Sequence, residues 1–148
     1  MSLITFDGEE KYLWKSSLLF LIPTSYGFYT GHTCLASLNL LSSIISFAFW
    51  YKPYYGFRRL LDKTYQPLFC LLLNCIGMNQ LNKHNWYWGV IGYSFGSIGI
   101  YYYYYATIQY YKPNRFWFVY HNIFHLFSAL INLTCYAILN SNKLIYKK

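Results

Sequence analysis

Acidic side chains are scarce in this chain: four among 148 residues, against twelve Lys and Arg. Three of them, Asp7, Glu9 and Glu10, fall in the opening stretch, so Asp62 is the one side-chain carboxylate in all that follows. Charged residues of either sign reach 11 %, well under the ~25 % of an ordinary soluble domain. A cysteine framework is missing as well. Cys34, Cys70, Cys75 and Cys135 lie in apolar segments with no CxxC and no zinc-ligand spacing. That excludes a disulfide scaffold and a structural zinc site, and predicts buried free thiols acting as small apolar groups. The opening residues, MSLITFDGEEKYLWK, have neither a basic start nor a small-residue cleavage site. They argue against a cleaved signal peptide. No repeat and no shift of composition marks a second domain, so residues 1–148 read as one.

What the chain has instead is apolar and aromatic bulk. Hydrophobic residues make up 56 % and aromatics 24 %, with 19 Tyr. Mean hydropathy is only +0.19, because such scales penalise tyrosine although its ring suits a membrane interface. The formal charge of +8 does not describe a nucleic-acid-binding face, since the basic residues are dispersed at the ends of apolar stretches rather than gathered on one surface. Lys52, Arg58, Arg59 and Lys63 sit in one connection, which is how a membrane topology signal is written. The expected fold is an all-α integral membrane bundle with membrane lipid as its surroundings and no nucleic-acid partner.

Five apolar spans emerge, at about 12–31, 34–51, 60–78, 86–105 and 115–140. Each is near the ~20 residues that cross a ~30 Å hydrocarbon core. Pro23 interrupts the first, with Thr24 and Ser25 placed to re-satisfy a freed carbonyl. If that span breaks there, four crossings remain. Pro67 stands close enough to the start of the third to be tolerated. In the fourth, Gly89, Gly92, Gly96 and Gly99 recur at spacings of 3, 4 and 3. They make a flat seam for close packing of a backbone, and so a candidate homo-oligomer face. The run Tyr101–Tyr105 suggests an aromatic belt at that span's end, followed by a turn over Tyr111–Asn114 with Pro113. The Lys and Arg count, eight on the N-terminal side of the membrane against four on the other for five crossings, puts the N-terminus in the cytoplasm.

Polar residues within the spans follow helical spacing. His121, His125, Ser128, Asn132 and Cys135 recur every three or four residues in the last, a stripe that is costly against lipid and therefore expected to face protein. Asn39, Ser43, Ser46 and Trp50 make a second such face, and Asp62, Gln66, Cys70 and Asn74 a third. The sequon Asn132-Leu133-Thr134 lies inside a span, where it is not modified. Alternating span direction brings Ser46, Trp50, Asp62, His121 and His125 to one membrane side. Imidazoles one turn apart can share a metal ion, for which Asp62 is the natural third ligand, or else it orients a histidine or acts as general base. Equally, the group can be interhelical hydrogen-bonded glue.

His121-x-x-x-His125, with Asp62 at the start of a helix and Ser46 on an earlier one, resembles the alkaline ceramidase and progestin-receptor-like superfamily of membrane hydrolases. The resemblance implies a zinc-dependent hydrolase cleaving a lipid-like, ceramide-type amide, with His121, His125 and Asp62 at the metal and Asp62 and Ser46 in catalysis. Trp50 stands where that pattern has a histidine, and the family has seven spans. The stretch Phe49–Asp62, FWYKPYYGFRRLLD, is also similar to small uncharacterised multi-pass proteins of large DNA viruses and protists, a resemblance that implies no activity. Two functions are therefore expected: a membrane protein with a structural or interaction role around a buried His/Asp cluster, or the zinc hydrolase.

Overall fold

The computed structural model describes residues 8–54, 56–112 and 116–146, the last three without their side chains. Within them the chain is helical and has no strand. The first rod joins α1 (Glu10–Ser17), a 3-10 turn (Leu18–Phe20) and α2 (Leu21–Tyr29). Then come α3 (Thr33–Tyr51), α4 (Phe57–Asn79), α5 (Trp86–Tyr110) and α6 (Trp117–Tyr146). Each of the five expected spans coincides with one rod. The expected turn residues Pro113 and Asn114, the start at Arg115, Asp7 and the final Lys147 and Lys148 lie outside the described residues.

The expected break near Pro23 takes the form of the 3-10 turn, one step earlier in the chain. Proline has no N–H for the helical ladder. The carbonyl without that ladder donor is Leu19's; the next one, of Phe20, accepts from Thr24 Oγ1 at 2.8 Å and from Asn39 Nδ2 at 3.3 Å. Pro67 departs from expectation: α4 begins at Phe57, so Pro67 stands well inside the helix. The α2–α3 turn uses Gly31 at φ 75°, a conformation that side chains with a Cβ resist.

Helix α6 is central. The α1–α2 rod, α4 and α5 all pack on it, while α3 packs on the first rod and α4. Its polar stripe turns inward as expected: His125, Ser128, Asn132 and Cys135 are buried. So is the face of α3, with Asn39, Ser43, Ser46 and Trp50 all buried. In mid-bundle Asn132 Nδ2 donates to Asn39 Oδ1 at 2.9 Å. The α4–α5 connection is tied to the far end of α6 by Asn85 and Asn82, whose Nδ2 groups donate to Asn142 Oδ1 at 3.0 and 2.7 Å.

The glycine seam of α5 faces α6 within the chain. A Cβ on Gly92 would meet Thr134 Oγ1 at 2.9 Å, and one on Gly99 would meet Phe127 Cβ at 3.4 Å. The tyrosine run lies inside α5 rather than at its end. Tyr102 stacks on Tyr120 and Phe127, and Tyr105 packs edge-on to Tyr120 at 4.7 Å. Tyr101, Tyr103 and Tyr104 point outward. Of the cysteines, Cys135 is buried but Cys34 and Cys75 are exposed, contrary to expectation, and none is in a disulfide.

By length and composition α3 and α6 can cross a membrane. Helices α4 and α5, of 23 and 25 residues, are long enough, but α4 carries charged and amide side chains and α5 is rich in glycine and tyrosine, which hydropathy scales penalise. Both nevertheless expose large apolar side chains, among them Leu68, Leu71, Tyr93 (80 % exposed) and Ile100 (70 %).

Candidate functional site

The inward stripe of α6 meets the first rod through a hydroxyl. Ser16 Oγ lies 2.8 Å from Leu13 O, to which it donates, and 2.8 Å from His125 Nδ1. A serine has one hydroxyl proton. With that proton on the Leu13 carbonyl, the imidazole Nδ1–H is the donor to Ser16, and Nε2 keeps its lone pair. The neighbouring Ser17 Oγ is 3.0 Å from Ser46 Oγ of α3, and Ser43 Oγ donates to Ser17 O at 3.0 Å. Ser46 in turn lies beside Asp62 of α4. Gln66 braces this junction: its Nε2 donates to Ser42 O at 2.8 Å and to Asp62 Oδ1 at 3.4 Å, while Ser42 Oγ donates to its Oε1.

His121 sits one turn before His125, with ring centroids 4.7 Å apart. Trp50 packs edge-on to it at 4.9 Å, and Trp117 and Phe124 flank it. Among the described residues His121 has ring contacts but no hydrogen bond. Trp117 is fixed from the other side by Nε1 donating to Glu9 Oε2 at 2.9 Å.

The sequence-predicted residues are thus gathered at one end of the bundle. Ser46, Asp62, His121 and His125 all line a single cavity of about 1190 Å³, larger than the ~300–1,000 Å³ of common ligand pockets. Its shape follows from the packing. Helices α4 and α5 both lie on α6 but do not pack against each other, which leaves a cleft between them with α6 as its floor. From the polar end at Asp62, Lys63, Tyr103 and His121 it runs to Met78, Leu81, Trp86 and Ile138. The α4 polar face, Asp62, Gln66, Cys70 and Asn74, is one wall. Along the length Asn74 Nδ2 donates to Cys70 O and Thr134 Oγ1 to Ile131 O.

The zinc implied by the hydrolase resemblance does not fit this arrangement. A catalytic zinc takes three protein ligands and an open position. Here only two imidazoles are adjacent, and although the bond from His125 Nδ1 to Ser16 leaves its Nε2 free, as in many metal-bound histidines, a third ligand is missing. No group of three or more His, Cys, Asp or Glu among the described residues is placed to hold a metal ion. The ring beside His121, where that family has another histidine, is the Trp50 indole. Indole offers only an N–H donor, and this one is buried without a hydrogen-bond partner among the described residues.

Ser16 and Ser17 were absent from the sequence-based candidates. Two hydroxyls in a serine-containing helix carry no spacing signal, and only their approach to His125 and Ser46 gives them a place. Comparison of the chain with protein-family models, curated proteins and solved structures finds no match.

Proposed function

We propose that this chain is a multi-pass integral membrane protein, crossing the bilayer five times with its N-terminus in the cytoplasm. Its working part is the polar end of the α4–α5 cleft, which receives a lipid-like molecule sideways from the bilayer. One observation carries the reading: two membrane-length helices stand apart on the same floor, and the cavity between them is lined mainly by apolar side chains, with its charged and imidazole groups, Asp62, Lys63, His121 and His125, gathered at one end. The outward leucines, isoleucines and tyrosines of α4 and α5 are at home against acyl chains and costly against water. The basic residues that flank the rods favour the N-terminal side as cytoplasmic.

The test is made on the full-length protein in membranes. Alkaline carbonate leaves it in the pellet, and spin labels on Met78→Cys and Val90→Cys, both in the cleft lining, are relaxed more by oxygen than by a polar nickel chelate. Release by carbonate removes the membrane reading. Retention with the opposite relaxation order makes the cleft a water-filled one and removes the lipid reading.

A further inference from the structure

From the inventory of donors and acceptors at the cleft's polar end, we infer that its ligand is a long-chain lipid with an uncharged, hydroxyl-bearing head of the monoacylglycerol class. The inference rests on the membrane reading above. The cleft has one charged end. From Asp62 to Met78 the α4 wall rises about 24 Å at ~1.5 Å per residue, and beside its Gln66 and Asn74 the facing Val90, Ile100, Ile131 and Ile138 give an acyl chain apolar footing most of the way across a ~30 Å hydrocarbon core. Of the seam glycines on the opposite wall, Gly96 leaves room beside that track: a Cβ there would find its first neighbour, Ile131 Cδ1, only at 3.9 Å.

The head is selected by the enclosed groups of the polar end, which are acceptors, the donors of Lys63 lying on an exposed side chain at its rim. An Asp62 carboxylate only accepts hydrogen bonds. His125, with Nδ1–H given to Ser16, offers an acceptor at Nε2. His121, also in the lining, has no hydrogen-bond partner among the described residues. Acceptors in an apolar enclosure call for a ligand with donors, since an unmet polar group there is costly. The fixed charges in this lining, Asp62 and Lys63, cancel in sign, and no ion pair joins them among the described residues. A head with its own net charge would upset that balance, whereas hydroxyls satisfy the acceptors without doing so.

The experiment uses full-length protein in nanodiscs and a monoacylglycerol carrying a photoreactive group in its acyl chain. Unlabelled monoacylglycerol, fatty acid and long-chain amine serve as competitors. Saturable labelling of α4, α5 or α6 is expected, displaced best by monoacylglycerol. Gly96→Leu, which fills the track, abolishes it. Asp62→Asn, which replaces one charged acceptor oxygen with a donor, weakens it about tenfold, the worth of one charge-assisted hydrogen bond. Should Gly96→Leu fail to fold, as judged by its elution and helical circular dichroism, Asp62→Asn decides alone. Better displacement by the acid or the amine overturns the inference. So does labelling indifferent to Asp62→Asn, the absence of saturable labelling, or photo-crosslinked dimers joined through the cleft. If carbonate leaves the protein in the membrane while labelling fails, only the ligand assignment falls; if carbonate releases it, the membrane reading falls first.

Discussion

The amide pair at mid-bundle should respond unequally to removal of either partner. Asn39 and Asn132 have the same side chain and are both fully enclosed, so truncation to alanine leaves similar cavities and the difference between them reports hydrogen bonding. Asn132 gives one bond, from Nδ2 to Asn39 Oδ1 at 2.9 Å, and its own Oδ1 is buried without a partner among the described residues. Asn132→Ala therefore loses one interhelical bond, worth about 0.6 to 1.7 kcal/mol between membrane helices; it strands the Asn39 Oδ1 acceptor but deletes an acceptor that was already unpaired, two effects that offset each other. Asn39→Ala loses that bond and the weaker one to Phe20 O at 3.3 Å. It also strands the Asn132 amide with no partner, at a further cost of ~1–3 kcal/mol. Asn39→Ala should destabilise by roughly 2–4 kcal/mol and Asn132→Ala by roughly 1 kcal/mol. The double variant should cost less than the sum, because it removes the stranded group. Steric-trapping or detergent-titrated unfolding of the four proteins measures this. A larger cost for Asn132→Ala, or strict additivity, would refute the hydrogen-bond assignment.

Three further outcomes follow from the packing. Gly27→Ala places a Cβ at 2.8 Å from Tyr136 Cε1, and since Tyr136 is wholly enclosed the overpacking should cost about 1–3 kcal/mol in the same unfolding assay; an unchanged midpoint would show that the ring moves freely. Trp117→Phe keeps the apolar ring but deletes the donor to the buried Glu9 carboxylate, a loss of roughly 1.5–3 kcal/mol for a bond to a charged group. It should speed proteolysis near α1, and equal cleavage rates would contradict the docking. His32, in the α2–α3 turn, has its pKa lowered by burial and then by the Lys143 ammonium. The unfolded chain thus binds a proton more readily than the folded one. Stability is full above the ordinary histidine value near 6.5 and declines as pH falls below it toward the folded value. Unfolding midpoints of wild type against His32→Gln from pH 7.5 to 5 should diverge on the acid side, and parallel curves would refute the assignment.

Much of this architecture is readable in the residues themselves. Five rods follow from apolar runs punctuated by Gly31, Pro53 and the polar stretch 79–85. The inward stripe of α6 follows from the three-and-four spacing of His121, His125, Ser128, Asn132 and Cys135. The cluster of Ser46, Asp62, His121 and His125 follows from counting span directions. What spacing cannot carry is which helices touch. Nothing in the sequence of α4 or α5 announces that they stand apart, because each is consistent with a neighbour on either face. The glycine seam reads equally as an external face and as the internal one it forms against Thr134 and Phe127. The pairing of Ser16 with His125, across 109 positions, is likewise a product of tertiary packing. The start of α4 moved for a local reason: the helix begins at Phe57 directly after Gly56 at φ 150°, and Pro67 thereby shifts from the helix start to its interior.

The claim on which the rest depends is that the five rods cross a bilayer in alternation, which places the polar end of the cleft on the cytoplasmic side. Single-cysteine variants in a background with Cys34, Cys70, Cys75 and Cys135 changed to serine measure it directly, using a membrane-impermeant maleimide on sealed cells before and after permeabilisation. Thr33→Cys and Lys83→Cys should react on intact cells, and Lys52→Cys and Lys112→Cys only once the membrane is opened, all four positions being exposed. Reaction of Lys52→Cys and Lys83→Cys from the same side, at opposite ends of α4, would contradict it.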